Sequence, residues 1–498
     1  MSSLAKDKAN PTIEMLEHDK GSTTMHELEE DDGIIAVLQN GDTFKYTKEE
    51  EKKALRRLDW NLLSLIFVVE TLAYVDRGNF GNAKTAGMAK SLDLSSHQYT
   101  LLLQIYYVFY LSFQFLLLGW KIIPPNIYAA VMALGWGITS MAQAGAQSWG
   151  ALLACRAFMG LFEAGFIPGV ALYMSFFYRK EEIGLRYCIF ISTAALGGVY
   201  SGALAYGLVQ AKTALESWQL LFVVEGIPTI IMVPIIYFFL APAPGRCRYL
   251  NDRQNAIIKA RLGTSESGSS GREQGVKVDQ ILPALQDPIS YLYAAMVFCV
   301  NMAFSSFPVF LPTILTDMGY TSILAQGYSA APYAVSFFAC IGMCFLSDKL
   351  NHRGSFFAAC TTIGGVGFVL MCIPSEVGVR YFGTFVCASG LYAAVPLVFV
   401  WLMNNNGDES RRGAGLALFG TIGQLGPLPG LTLYPADEAP RYYRGMFASA
   451  GVLWLAAGLA ILTQFWLRRV NKRRDREAER SVSEGGDVAD LNSFRFTL

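Results

Sequence analysis

The chain has 498 residues, of which 53% are hydrophobic and 16% charged, with acidic and basic side chains in equal number. Soluble domains carry roughly 25% charged residues, so this composition excludes an ordinary soluble protein and points to a polytopic membrane protein. Zero net charge gives no bulk attraction to nucleic acid, and nine cysteines without a CxxC pair suggest neither a disulfide framework nor a zinc site.

The first 59 residues are polar and include the acidic run ELEEDD. No cleavable signal peptide is expected, and the first apolar segment should act as an uncleaved anchor. The tail is expected to lack order until TKEEEKKALRRLDW. There Thr47 and Glu50 have capping-box spacing, and Glu-to-Lys/Arg pairs follow at helical spacing. A short surface helix leading into the membrane is predicted.

A membrane-crossing helix needs about 20 mostly apolar residues. Such windows fall near 60–80, 99–119, 122–144, 149–177, 186–210 and 218–240, then near 289–312, 326–347, 355–374, 379–403, 412–434 and 445–468. Between the two sets lies the polar stretch 241–288, with the Ser/Gly-rich GTSESGSSGREQG of a flexible linker. The predicted fold is an all-α membrane protein of twelve transmembrane helices in two six-helix halves, 60–240 and 289–468, with tails 1–59 and 469–498. Two near-equal halves joined by a long polar loop are the signature of a duplicated transporter.

Basic runs flank the outermost spans, KKALRR before span 1 and RRVNKRR after span 12. Lys121, Arg179, Lys180, Arg186, Lys349, Arg353, Arg411 and Arg412 fall in loops predicted on that same side. The opposite loops carry Lys84, Lys90, Lys212, Arg380, Arg441 and Arg444. With the basic tails and linker, this asymmetry places both termini in the cytoplasm.

Span 1 carries three charges in LAYVDRGNFGNAKTAGM and the run before it: Glu70, Asp76 and Arg77. At 1.5 Å per residue from Trp60, Glu70 is expected roughly 15 Å in, near the midplane, and Arg77 roughly 25 Å in, near the outer surface. Span 4 runs the other way, with Arg156 in its outer half and Glu163 seven residues on, near the middle. Each span thus sets an Arg above a Glu on one helix face. Lipid-facing charges at these depths are costly, so all four are expected to face one interior cavity.

Arginine stays charged and offers a planar fork to a carboxylate. A desolvated Glu at the midplane can gain and lose a proton as the cavity opens to either side. Arg77 and Arg156 for the anion, with Glu163 and Glu70 for the proton, describe proton-coupled anion transport. The structural alternative is internal ion pairing, Arg77 with Glu163 or Arg156 with Glu70. Asp76 is expected to cap or pair at the helix end, and Glu225 in span 6 to bond locally.

The second half carries almost no interior charge. Its polar candidates are Asn301, Gln424 and the run Asn404–Asn406, with shape and apolar contact its main contribution. In span 2, QIYYVFYLSFQF offers Tyr106, Tyr107 and Tyr110 as a ligand platform or as helix packing. Pro168 is a candidate kink in span 4. No nucleophile–base pair or metal cluster supports an enzyme, and no cofactor is expected.

GMCFLSDKLNHRG (Gly342–Gly354) resembles the loop between spans 8 and 9 of the major facilitator superfamily. That resemblance implies that Asp348 caps a neighbouring helix and pairs with Arg353 to latch a closed state, with Lys349 at the matching position. LLLGWKIIPPNIY lacks the Asp–Arg pair and resembles the shortened form in the anion:cation symporter branch. YVDRGNFGNAKTAGM, WGITSMAQA, CRAFMGLFEAGFIPG and WQLLFVVEGIPT resemble fungal allantoate and nicotinate permeases of that branch, over about 60–470. The branch's animal glutamate and sialic acid transporters resemble this chain in R-x-N-x-G, here Arg77, Asn79 and Gly81, and in an Arg and Glu seven apart on span 4. The resemblance implies that Arg77 and Arg156 serve a substrate carboxylate and Glu163 serves proton coupling. Glu70 departs from the permease pattern, which has an uncharged residue there, and argues against a simple one-proton scheme.

The expectation is a monomeric alternating-access symporter in the plasma membrane, moving a small organic anion of carboxylate, vitamin or ureide type inward with protons. The rivals are an exporter of an anionic secondary metabolite on the same fold and a non-transporting nutrient receptor.

Overall fold

Thr47 starts the first helix in the computed structural model, which describes residues 28–30, 33–37, 43–211, 213–263, 288–405, 418–483 and 496–497. Its hydroxyl accepts from the Glu50 N–H at 3.2 Å and its own N–H donates to Glu50 Oε2 at 3.1 Å, the expected capping box. The chain before it forms structure that the sequence reading did not expect. Strands β1 (Leu28–Glu30), β2 (Gly33–Val37) and β3 (Thr43–Tyr46) make an antiparallel sheet, with Ile35 opposite both Leu28 and Lys45. The β-branched GIIAV, followed by Asn40–Gly41, carries a strand and turn signal that a composition reading of the tail passes over.

From Lys48 the chain is helical as far as Ser91, a 44-residue element that passes through a wider π turn at Asp59–Leu63. Span 1 therefore does not stop near residue 80. Lys84, whose charge suggested a loop, lies 4.5 Å from the Tyr99 ring centre, a cation–π contact on an aromatic surface. Gly87, at φ 107°, bends the last turns. Asp76 and Arg77 consequently sit near the middle of the stretch from Trp60 to Ser91. Asp76 caps no helix end, and Arg77 is not close to the outer surface.

Spans 3 to 6 are Pro125–Gly145, Trp149–Ser175, Lys180–Leu208 and Ser217–Phe239. Spans 7 to 10 are Pro288–Asp317, Ser322–Leu350, Arg353–Cys372 and Val377–Asn405, and the last helix is Tyr443–Ser483. Span 2 is a pair, Ser96–Ser112 and Gln114–Ile122, bent by 46°. Among the described residues ten helices are long and apolar enough to cross a membrane, or eleven if that bent pair is one span. The start of span 11, with Arg411 and Arg412, lies outside the described residues, as do Asn406 and Lys212. The described part of span 11 is broken around Pro427–Gly430.

Span 4 runs through Pro168, the candidate kink, as one unbroken helix. The Trp120 indole N–H donates to the Gly165 carbonyl at 2.8 Å, beside the backbone bond that the proline deletes. A Cβ at Gly169 would lie 2.0 Å from that indole nitrogen, so the glycine makes room for the ring.

Residues 241–288 are not simply a loop. Asp252–Gly263 is a helix packed on Lys48–Leu58. Arg261, fully buried, bridges Glu51 at 2.7 Å and Glu182. Arg253 pairs with Glu50 at 2.8 Å and holds its carboxyl below the usual range. Arg186 pairs with Asp59 at 2.6 Å. The Ser/Gly-rich part of the linker lies outside the described residues.

The halves meet along span 5 against span 8 and along the far end of span 1 against span 7. A Cβ at Gly81 would stand 2.3 Å from the Val309 carbonyl oxygen. Gln326 donates to the Asn82 carbonyl at 3.4 Å and to the Thr85 hydroxyl at 3.2 Å, and Ser322 to the Thr85 carbonyl at 2.8 Å. At the end that carries the termini, Tyr187 of span 5 stacks on Phe399 of span 10 with ring centres 3.6 Å apart. The two halves are thus in contact at both ends.

Candidate substrate and proton site

Between these closures lies a narrow cavity walled by Tyr74, Arg77 and Tyr107 of the first half and by Ser305, Tyr333 and Tyr392 of the second. Arg77 is the charged residue among those lining it. Its guanidinium lies 5.2–5.7 Å from the ring centres of Tyr74, Tyr106 and Tyr110, an aromatic cage that suits a cation. Nε at 3.3 Å and Nη2 at 2.8 Å both donate to Glu163 Oε2. The same oxygen accepts the Tyr106 hydroxyl at 2.5 Å, while Oε1 has no hydrogen-bond partner among the described residues. Glu163 is fully buried and Arg77 is 18% exposed, so the pair presents its cationic side to the cavity.

The expectation that four charges face one cavity is corrected: of the four, Arg77 lines it. Arg156 is buried behind the wall, 4.6 Å from the Phe80 ring centre and 4.9 Å from that of Tyr106. It donates to the Leu102 carbonyl at 3.4 Å and to Met159 Sδ at 3.6 Å. The Tyr106 ring therefore lies within cation–π reach of both arginines. Glu70 is fully buried, with neither carboxylate oxygen hydrogen-bonded among the described residues. Among the described residues no ion pair joins it to Arg156, whose donors go to Leu102 and Met159. The cause is the length of span 1, which lifts the register by which Arg77 was matched with Arg156.

Tyr106 serves Glu163 rather than the cavity wall, where its neighbour Tyr107 stands. Asn301 donates to the Gly423 carbonyl at 3.1 Å and ties span 7 to the broken span 11. Neither Asn301 nor Gln424 lines the cavity. Asp348 and Arg353 form the expected ion pair, and Arg353 reaches span 5 beside Gly184.

Asp76 was missed as a functional candidate. It is buried and accepts from Ser140 at 2.7 Å and from Thr229 at 3.1 Å, joining spans 1, 3 and 6. Reading the helix on through FGNAKTAGM, which contains no proline, would have placed it in mid-span. Asn79 accepts from Asn82 at 2.8 Å and from Ser201 at 3.1 Å, so the middle residue of R-x-N-x-G joins span 1 to span 5.

Residues 66–431 match the sequence model of the Major Facilitator Superfamily. The chain belongs to that superfamily. It is 30% identical over 485 residues to the MFS transporter prlL of Fungal sp. (strain NRRL 50135), covering 93% of this chain and 96% of that one. It is 26% identical over 430 residues to the high-affinity nicotinic acid transporter of Saccharomyces cerevisiae, covering 85% and 79%. The structure of the proton:xylose symporter XylE superposes with a TM-score of 0.63 at 12% identity, over 82% of this chain and 96% of that one. A bacterial homolog of the human lysosomal transporter Spinster, inward-facing and unoccupied, gives 0.61 at 16% identity, over 84% and 98%. These neighbours share the fold, twelve transmembrane helices in two six-helix halves. This major facilitator chain is therefore a multi-pass membrane transporter of a small molecule.

Proposed function

We propose that the chain is a proton-coupled symporter of a small organic anion. The observation that carries this reading is the Arg77–Glu163 pair at the cavity wall. Glu163 and an incoming carboxylate compete for one guanidinium. A proton on Glu163 removes its charge and frees the fork of Arg77 for the substrate. Proton loss from Glu163 lets the pair reform as the anion leaves, so one arginine links the two fluxes.

Arg156 backs the site by holding the Tyr106 ring, and Glu70 and Asp76 are further buried carboxylates that take protons during the cycle. Tyr74, Tyr107, Tyr333 and Tyr392 give the cavity flat walls that suit a planar carboxylate. The relative named for nicotinic acid supports that class. The basic runs beside spans 1 and 12 support cytoplasmic termini, and we assign the protein to the plasma membrane as a monomer working inward.

The test is uptake of labelled carboxylates, nicotinate among them, by cells expressing the chain at external pH 5 and pH 7.5. Faster uptake of at least one anion at the lower pH is expected. Absence of pH-dependent flux for every anion tried would overturn symport.

A further inference from the structure

The last two described residues, Phe496 and Thr497, are held against the end of the molecule that carries the termini. The Phe496 N–H donates to Asn471 Oδ1 at 3.0 Å and the Phe496 carbonyl accepts from Asn471 Nδ2 at 2.8 Å. The Thr497 N–H donates to Asn405 Oδ1 at 2.7 Å and its carbonyl accepts from Asn405 Nδ2 at 3.0 Å. The Trp401 indole N–H donates to the same carbonyl at 2.9 Å. Consecutive residues of an extended chain direct their backbone groups to opposite sides, so two asparagines from different helices grip the segment as neighbouring strands would. Arg474 lies 4.6 Å from the Phe496 ring centre and adds a cation–π contact.

Trp401 and Asn405 are buried, so the seat is built into the fold. Asn405 also donates to the Tyr293 hydroxyl at 2.7 Å, which brings span 7 into the same joint. The seat adjoins the contact between the halves. Trp401 follows Phe399 and Val400, and these are the residues that meet Tyr187 and Gly184 of span 5. Spans 5 and 8 pack together across the divide, and Cys188 of the one and Cys344 of the other are both buried.

We propose that the Phe496–Thr497 segment is an intramolecular latch. Seated on Asn405, Trp401 and Asn471, it fixes the turn of span 10 that closes the cavity at the terminus-bearing end, and its release favours opening there. Closing needs the segment seated and opening needs span 10 to move, so the two equilibria are linked.

The test is maleimide labelling of Cys188 and Cys344 in the purified protein in nanodiscs, followed by peptide mass spectrometry. Three proteins are compared: the full chain, a chain truncated before Glu484, and Asn471→Ala. Cys360 and Cys387, buried within the second half, are internal references. Truncation and Asn471→Ala are expected to speed labelling of Cys188 and Cys344 by roughly 5- to 100-fold, the range of ordinary coupling free energies, with the references unchanged. Unchanged labelling in both altered proteins would overturn the latch. Equal acceleration at the references would also overturn it, because the segment would then be only a general brace. Asn471→Ala leaves the chain complete, so the comparison stands if the truncated protein does not fold.

Discussion

Both guanidinium donors that Arg77 directs at span 4 converge on one oxygen of Glu163, and the Tyr106 hydroxyl reaches that same oxygen. Three donors on one buried atom hold a charged carboxylate well. A proton on the carboxylate, for which the unpartnered Oε1 is free, removes the negative charge that strengthens all three bonds. In the proposed mechanism the pair is a toggle: a proton on Glu163 frees the arginine to turn from Glu163 towards the cavity.

Arg77→Lys keeps the charge and loses the planar fork. Charge-assisted hydrogen bonds contribute about 1.5–3 kcal/mol each, so anion uptake at low substrate should fall roughly 10- to 100-fold. Arg156→Lys, behind the wall, should lower the melting temperature with a smaller loss of uptake. Initial rates on the two variants, beside thermal melts, check the order. A larger uptake loss for Arg156→Lys would move the anion site away from Arg77.

Asp76→Asn removes a buried charge and keeps an oxygen for one of the two hydroxyls, Ser140 on Oδ1 or Thr229 on Oδ2, while its amide N–H can donate to the other. Replacing buried charge by a neutral group of similar shape is often neutral or stabilising. The melting temperature should therefore equal or exceed that of the parent, while proton-driven accumulation is lost. Normal accumulation by this variant would remove Asp76 from the proton pathway.

Gly81→Ala should hinder closure at the end opposite the termini. The new methyl would meet the Val309 carbonyl at 2.3 Å, and overpacking of this kind costs about 1–3 kcal/mol. That shifts the population towards a state open at that end by roughly fivefold or more. A cysteine placed at Ser305, on the cavity wall, should then react faster with a maleimide that cannot cross the membrane. Equal rates with and without the alanine would mean the helices part at no cost.

Arg261→Met should destabilise the fold without touching the cavity. It leaves Glu51 and Glu182 without their buried partner. Breaking a buried pair costs about 3–5 kcal/mol, and these carboxylates are partly exposed, so about 2 kcal/mol is expected. A melt in detergent measures it, and an unchanged melting temperature would show that the terminal clasp contributes little.

Much of this was legible in the sequence, and particular residues show where legibility stopped. Hydropathy windows locate most spans because lipid demands long apolar helices, and the capping box at Thr47 marks a helix start because it is a local device. Counting depth from Trp60 failed because Lys84 looked like a loop, whereas aromatic rings shelter it within a longer helix. The pairing of Arg77 with Glu163 stood among the alternatives, since seven-residue spacing shows a shared face and not which neighbour meets it. Arg156 and Asn301 looked like ligand groups by type and depth. Their partners, a carbonyl on span 2 and another on span 11, are tertiary contacts that no spacing encodes. Gly81 is read as a motif letter in the sequence and explained only by Val309 opposite.

The most direct test of the central claim is Glu163→Gln in vesicles, with net uptake of a transported carboxylate under an imposed pH gradient measured beside exchange without one. The account predicts that the variant loses gradient-driven accumulation and still exchanges labelled for unlabelled anion. Accumulation at the parent's level would contradict it, because Glu163 would then carry no proton in the cycle.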